Sequence, residues 1–264
     1  MSREIAKPDT MRPNARLDLR PFTPARVSLG QVGPAIPTRE QLRFQLDHAL
    51  ARDAVHAKLD VIALERELRQ IGIESITLRS AATGTELRDR KVYLRRPDLG
   101  RKLHENSARE LKDLSERLKD RPNLAVVIVD GLSAVAVERH AAGLLEAVTA
   151  EGLNEWKRAP VFIVTDGRVA IGDEIGAILE AQLAIVLIGE RPGLSSPDSL
   201  GVYLTWEPRP GRTDAERNCI SNIRIEGLSY HAAARRLVSY VKQARRLRMT
   251  GVYLKERSEK LIGG

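Results

Sequence analysis

The sequence predicts an α/β protein: a helical N-terminal domain followed by a Rossmann-like, mostly parallel sheet. Three observations carry this. Residues 124–129, 161–164 and 183–188 are apolar runs of strand length, the pattern of strands buried on both faces. Helical segments, 133–148 and 173–182, lie between them, and strands alternating with helices imply βαβ units with right-handed crossovers. Ahead of Arg121-Pro122-Asn123 the apolar spacing is helical instead. A boundary is therefore expected there, giving an arm over 1–32, a mainly helical domain over 33–121 and the sheet domain over 122–264.

The elements follow in order. Residues 1–32 are basic, carry several prolines and show no apolar period, so they read as a tail, either disordered or gripping a partner chain. Thr38 and Gln41 have capping-box spacing, and Leu42, Leu46, Ala49 and Leu50 follow at helical spacing. A second stripe, Val61, Leu64, Leu68 and Ile71, ends at Gly72. Residues 73–92 alternate loosely around Gly84 and predict a short hairpin. Ser107 and Glu110 repeat the capping-box spacing ahead of Leu111, Leu114 and Leu118. The last helix, 229–247, places Tyr230, Ala233, Ala234, Leu237 and Val241 on one face.

Composition narrows the function classes. With 264 residues and 42% hydrophobic content, the chain can bury a substantial core. Aromatics are only 4%, which argues against stacking platforms for single-stranded nucleic acid. The net charge of +8 permits an acidic partner. A basic α/β nucleic-acid-binding protein is the alternative this balance keeps open, motivated by the arm and by Arg235, Arg236, Lys242, Arg245, Arg246 and Arg248. Elsewhere, as from Glu105 to Lys119, basic and acidic residues are interspersed, the pattern of a solvated helical surface. The single cysteine, Cys219, precludes an intrachain disulfide and suits a reducing cytoplasm. No apolar run approaches the roughly 18 residues of a membrane span.

Three expected strand ends meet at one edge of the sheet: Asp130-Gly131, Thr165-Asp166-Gly167-Arg168-Val169 and Gly189-Glu190. Ligands of open α/β sheets bind outside that edge. Asp130 reads equally as a turn carboxylate or as a ligand contact, and Ser133 suits the cap of the following helix. The loop over 190–199, stiffened by Pro192 and Pro197, is either a rigid cap on the sheet or a binding loop. No G-x-G-x-x-G follows a strand and no G-x-x-x-x-G-K-[ST] occurs, which disfavours NAD and ATP. Glu138-Arg139-His140-Ala141-Ala142-Gly143 is a glutamate version of the D-x-H-x-x-G signature of histidine-ligated cobalt. It falls within an expected helix, where a surface histidine is the simpler reading. His48 and His56, eight apart without carboxylates, read as surface or packing residues. No catalytic triad, Cys-His pair or paired carboxylate is legible, so substrate chemistry is expected on another chain.

The blocks LIGERPGLSSPDSLGVYLTW, GRTDAERNCISNI, VVIVDGLSA and GRVAIGDEIG resemble the small (light) subunit of ethanolamine ammonia-lyase. The resemblance runs over about 27–255. It implies an adenosylcobalamin-dependent ammonia-lyase built as a hetero-oligomer. A separate large subunit, a barrel, would bind ethanolamine and convert it to acetaldehyde and ammonia. It further implies cobalamin contacts at Val169, Glu190 and Cys219, with the cofactor's own benzimidazole on cobalt and no protein metal ligand. Glu190 can accept hydrogen bonds from ribose hydroxyls or corrin amides, or pair with Arg191 or Arg209. Cys219, read from the residues alone, is a small buried apolar group. The implied location is the cytoplasm, free or inside a bacterial microcompartment, although the arm shows no recognisable encapsulation peptide.

Deleting residues 1–25 should leave a cooperative thermal unfolding transition intact, because no periodic apolar pattern lies there. Loss of that transition would show the segment packs into the core.

Overall fold

The computed structural model describes residues 19–23, 25–83, 90–118, 120–154 and 159–254. Contacts divide the chain into residues 1–46 and 47–264. In the first unit a short 3-10 turn, Arg20–Phe22, precedes an isolated bridge between Val32 and Ala35. Helix α1, Thr38–His56, starts on hydrogen bonds from the Glu40 and Gln41 amides to the Pro37 carbonyl. Thr38 therefore lies inside the helix and is not its cap. Leu42, Leu46 and Leu50 are 59, 59 and 49% exposed, so the leucines at helical spacing face outward.

The second unit is α/β, with one six-stranded mixed sheet. Its strands are β1 (Ser75–Arg79), β2 (Leu124–Val129), β3 (Val161–Thr165), β4 (Leu183–Gly189), β5 (Leu200–Trp206) and β6 (Arg217–Ile223), in the order β1-β3-β2-β4-β5-β6. The first four in that order run parallel, while β5 and β6 are antiparallel to their neighbours. Only residues 190–199 separate β4 from β5. A parallel return needs a crossover of about a dozen residues or more, so the chain doubles back beside β4 instead.

Every residue of β2 and β4 is buried. Side chains alternate between two cores, as the two-residue period of a strand requires. Val126, Ile128, Ile185 and Leu187 pack with helices α2 (Val61–Gln70), α5 (Ala134–Ala150) and α7 (Tyr230–Leu247). Ala125, Val127, Val129 and Val186 pack with α4 (Glu105–Arg117) and α6 (Ile171–Ile178). The stripes expected on α2 and α7 supply this core, with Leu64, Leu68, Ala233, Ala234, Leu237 and Val241 all buried.

Two local expectations are corrected. Residues 73–92 do not form a hairpin among the described residues. β1 pairs in parallel with β3, Ser75 to Val161 through Arg79 to Thr165, a short helix α3 spans Arg90–Arg95, and 84–89 lie outside the described residues. β1 thus comes from ahead of the 121/122 boundary and pairs with a strand beyond it. Ser107 is not the cap of α4. His104 caps it, accepting from the Asn106 amide, while buried Ser107 accepts the Arg79 amide. A hydroxyl inside the helix satisfies the unpaired side of the edge strand β1, a long-range role that local spacing does not reveal.

The carboxyl ends of β2 and β4 approach closely. Gly131 has φ of +56°, and a Cβ on Gly189 would meet the carbonyl oxygens of Ser133 and Asp130. Those atoms are backbone and cannot rotate away. Gly189→Ala should therefore destabilise by at least the ~1–3 kcal/mol typical of overpacking. Equilibrium urea unfolding measures it, and an unchanged midpoint would show that the two strand ends can separate without cost.

Candidate functional site

Side chains from α3 close the carboxyl edge of the sheet. Arg90 Nη1 donates to Asp130 Oδ2 at 3.0 Å and to Asp166 Oδ1 at 2.9 Å, and Nη2 donates to the Gly131 carbonyl at 2.6 Å. Asp130 also accepts the Gly167 amide at 3.3 Å. This satisfies the turn reading of Asp130. Burial pushes its carboxyl up to about 6, with Arg90 opposing the shift. The Tyr93 hydroxyl lies 2.8 Å from the carbonyl oxygens of both Gly131 and Gly167, and can donate its proton to either. Burial holds this phenol well above its usual pKa, so it remains a neutral donor. The guanidinium carbons of Arg90 and Arg168 lie 4.3 and 4.2 Å from the Tyr93 ring centre, within cation–π range.

Beside this plug a cleft of about 1470 Å³ opens on the α6 side of the strand ends, larger than the roughly 300–1,000 Å³ of ordinary small-molecule sites. Val169 and Glu190 both line it, together with Gly131, Arg168, Tyr203 and Arg212. Cys219 stands opposite Tyr203 in the β5–β6 register. It is exposed on β6, not buried, because the residue alternates outward on an edge strand. The site residues implied by resemblance thus converge: two line one cleft, and the third faces a strand partner that lines it.

Glu190 is held by the loops around it. The Ser199 hydroxyl and the Asn222 amide both donate to Oε2, and the Glu190 amide donates to the Ser199 carbonyl at 2.9 Å. Among the described residues its carboxylate makes no ion pair with Arg191 or Arg209. Arg224, buried, donates to the Ser195 carbonyl at 3.0 Å and to Asn222 Oδ1. The 190–199 loop and the end of β6 are thereby stapled together, and the Glu190 carboxylate packs so closely on Gly201 that a Cβ there would come within 2.9 Å of Oε1.

A buried ion pair forms another wall. Arg217 donates to Asp173 in bidentate fashion, at 2.6 and 2.7 Å, and further to Thr205 Oγ1 and the Arg212 carbonyl. The two side chains are 1 and 2% exposed. Sequence reasoning missed this pair, along with Arg90, Tyr93 and Arg168. The carboxylates that pair with Arg90 and Arg217 lie 40, 76 and 44 residues away, and Tyr93 reaches carbonyls 38 and 74 residues away, so no local spacing signals them. Arg168, Asp173 and Arg217 do fall within the blocks GRVAIGDEIG and GRTDAERNCISNI, but nothing in those blocks says what each side chain meets.

The cobalt-ligating signature resolves as packing. His140 is buried, not a surface residue. Its Nδ1 lies 2.7 Å from the Tyr230 hydroxyl and its Nε2 3.5 Å from Asp198 Oδ2. Gly143 admits the Tyr230 ring between α5 and α7. His48 and His56 are exposed on α1. On and just after α7, Arg235, Arg236, Lys242, Arg246 and Arg248 are exposed and do not line the cleft. Among the described residues no helix is long and apolar enough to cross a membrane.

A family model for the ethanolamine ammonia-lyase light chain matches residues 13–255. The chain is 52% identical over 253 residues to the ethanolamine ammonia-lyase small subunit of Pseudomonas aeruginosa (strain LESB58), covering 96% of this chain and 91% of the relative. Against that of Xanthomonas campestris pv. campestris (strain B100) the identity is 50% over 261 residues, covering 98% and 94%. Against that of Pseudomonas fluorescens (strain Pf0-1) it is 50% over 256 residues, covering 97% and 92%.

Two outcomes are expected. Asp173→Ala strands a buried guanidinium and should cost about 3–5 kcal/mol in chemical unfolding, whereas pairing Asp173→Leu with Arg217→Met should recover much of it. For Asp130, the raised pKa means the folded state holds the proton more tightly than the unfolded chain. Its contribution is complete below the ordinary carboxyl value of roughly 4 and is lost as pH rises through about 6. The stability of wild type relative to Asp130→Asn should therefore fall between pH 4 and 7; a flat difference would contradict the shift.

Proposed function

The chain belongs to the ethanolamine ammonia-lyase light-chain family, and from that premise we propose that it builds one wall of an adenosylcobalamin site in a hetero-oligomer with the large subunit. The observation that carries this reading is the convergence of Val169 and Glu190 on one cleft, with Cys219 paired to cleft-lining Tyr203. Residues 122–264 act as the Rossmann-like cobalamin-binding part in this reading. Residues 33–121 are the mainly helical part, lending β1 to the sheet, and 1–32 are the arm.

The lining fits the cofactor. A corrin rimmed with neutral amides, with a ribose, a benzimidazole and one phosphodiester on its tail, needs many dispersed donors and acceptors across a wide surface. The cleft supplies width, backbone groups at Gly131 and Gly189, a carboxylate at Glu190 and a guanidinium at Arg168. When bound, adenosylcobalamin supplies the radical that starts hydrogen abstraction from ethanolamine. This chain's part is to hold and orient. The Glu190 carboxylate would accept a hydrogen bond from a ribose hydroxyl or a corrin amide, and Ser199 and Asn222 keep the carboxylate from swinging away. Val169 offers its backbone groups and a methyl contact, and Cys219 presents a small side chain beside Tyr203. The Tyr203 phenol, raised by burial, stays neutral. Cleavage of the substrate carbon–nitrogen bond, to acetaldehyde and ammonia, is assigned to the large subunit.

The isolated chain with adenosylcobalamin should show little lyase activity, and the chain should co-purify with the large subunit. Robust deamination by the isolated chain would sink the assignment of chemistry to the partner. In the assembled complex, Glu190→Ala should weaken adenosylcobalamin binding roughly tenfold to a hundredfold, the worth of a hydrogen bond to a charged acceptor. Glu190→Gln, which keeps one acceptor oxygen, should lose less. Unchanged affinity in Glu190→Ala, with thermal stability alone altered, would make Glu190 a loop staple only.

A further inference from the structure

Several cations line the cleft, and they are not equivalent. Arg217 is engaged by Asp173, and Arg212 by Glu207 and Glu216. Arg101, Lys102 and Arg191 are exposed and hold their charge in water. Arg168 differs from all of these. It is half-buried, directly precedes Val169, and is locked in place. Its amide donates to the Gly100 carbonyl at 2.7 Å and its Nη2 to the Tyr93 carbonyl at 3.3 Å. Gly100 lies so close that a Cβ there would come within 2.9 Å of Arg168 Cγ. The Tyr93 ring supports the guanidinium at 4.2 Å. Arg90, on the same ring, is neutralised by Asp130 and Asp166. Among the described residues no carboxylate reaches Arg168, and its Nε–H is buried without an acceptor.

A guanidinium fixed before the ligand arrives, with no carboxylate partner among the described residues, is suited to a phosphate oxygen pair, and little side-chain entropy is lost on binding. A guanidinium has no acceptor, so it gains least from amide N–H groups. The single anionic group of a cobalamin is the phosphodiester of its nucleotide tail. We propose that Arg168 holds that phosphodiester, so that the tail is seated beside Tyr93 and Val169. This rests on the reading that the cleft binds a cobalamin.

The test uses the assembled complex of this chain with the large subunit and two probes, cyanocobalamin and cobinamide, the corrin without the nucleotide tail. Binding is read by calorimetry and by the change in the corrin absorption spectrum, with thermal unfolding alongside. Arg168→Gln should weaken cyanocobalamin roughly tenfold to a hundredfold and leave cobinamide affinity essentially unchanged. Arg168→Lys, which keeps the charge, should restore part of the loss. An equal loss for both probes, or none for cyanocobalamin, overturns the proposal while leaving the cobalamin site standing. Failure of the wild-type complex to bind either probe overturns the cobalamin reading itself. Should both variants fail to assemble, the wild-type salt dependence decides: affinity falling with ionic strength for cyanocobalamin alone supports the phosphodiester contact, and parallel behaviour of the two probes overturns it.

Discussion

Strands β2 and β4 present no residue to water, and much of the structure follows from that constraint. A strand buried on both faces needs a covering layer on each, and its two-residue period sends alternate side chains into separate cores. The cover comes from α2, α5 and α7 on one side and from α4 and α6 on the other. With both faces occupied, the ends of the strands are where the backbone remains accessible. The carboxyl end is where the loops converge, and the cleft lies there.

Electrostatics then shapes that end. Two carboxylates, Asp130 and Asp166, meet at the tips of β2 and β3, and Arg90 bridges them. Without it, like charges in a buried setting would repel. The cost of burial survives in the raised pKa of Asp130. Tyr93 ties the same tips through Gly131 and Gly167 and carries Arg168 on its ring. A short helix from the first half of the chain therefore organises the edge of a sheet formed largely by the second half. The Asp173–Arg217 pair plays a comparable part between α6 and β6. Neither arrangement adds stability cheaply, since desolvation offsets much of the Coulomb gain, but both fix side chains that line the cleft.

What was legible in the residues tracks how local the cause is. The three parallel strands between 124 and 188 and the helices α2, α5 and α7 were evident because period and length arise within one segment. Ser133 was legible as the α5 cap for the same reason, accepting the Ala136 amide three residues on. The stripe on α1 has the right spacing, yet its leucines are exposed, because spacing says which residues share a face and not whether anything covers it. Ser107 and His140 were misplaced for a related reason. Each is drawn into the interior by a partner far along the chain, Arg79 for one and Tyr230 for the other.

The sequence by itself determined the class of fold, the strand ends beside which the cleft opens, the absence of a dinucleotide fingerprint, and the family, whose resemblance implied Val169, Glu190 and Cys219 as contacts. Only the tertiary structure decided that β1 joins the sheet beside β3 and that Cys219 faces outward. It alone brought Glu190 under the control of Ser199 and Asn222, and set Arg168 on Tyr93 without a carboxylate partner among the described residues. The physical reason is range. Periodicity, capping and turn preference act over a few residues and leave their mark in the sequence. Ion pairs, cross-strand register and stacking join residues tens of positions apart, and chain order alone carries no record of which of them will meet.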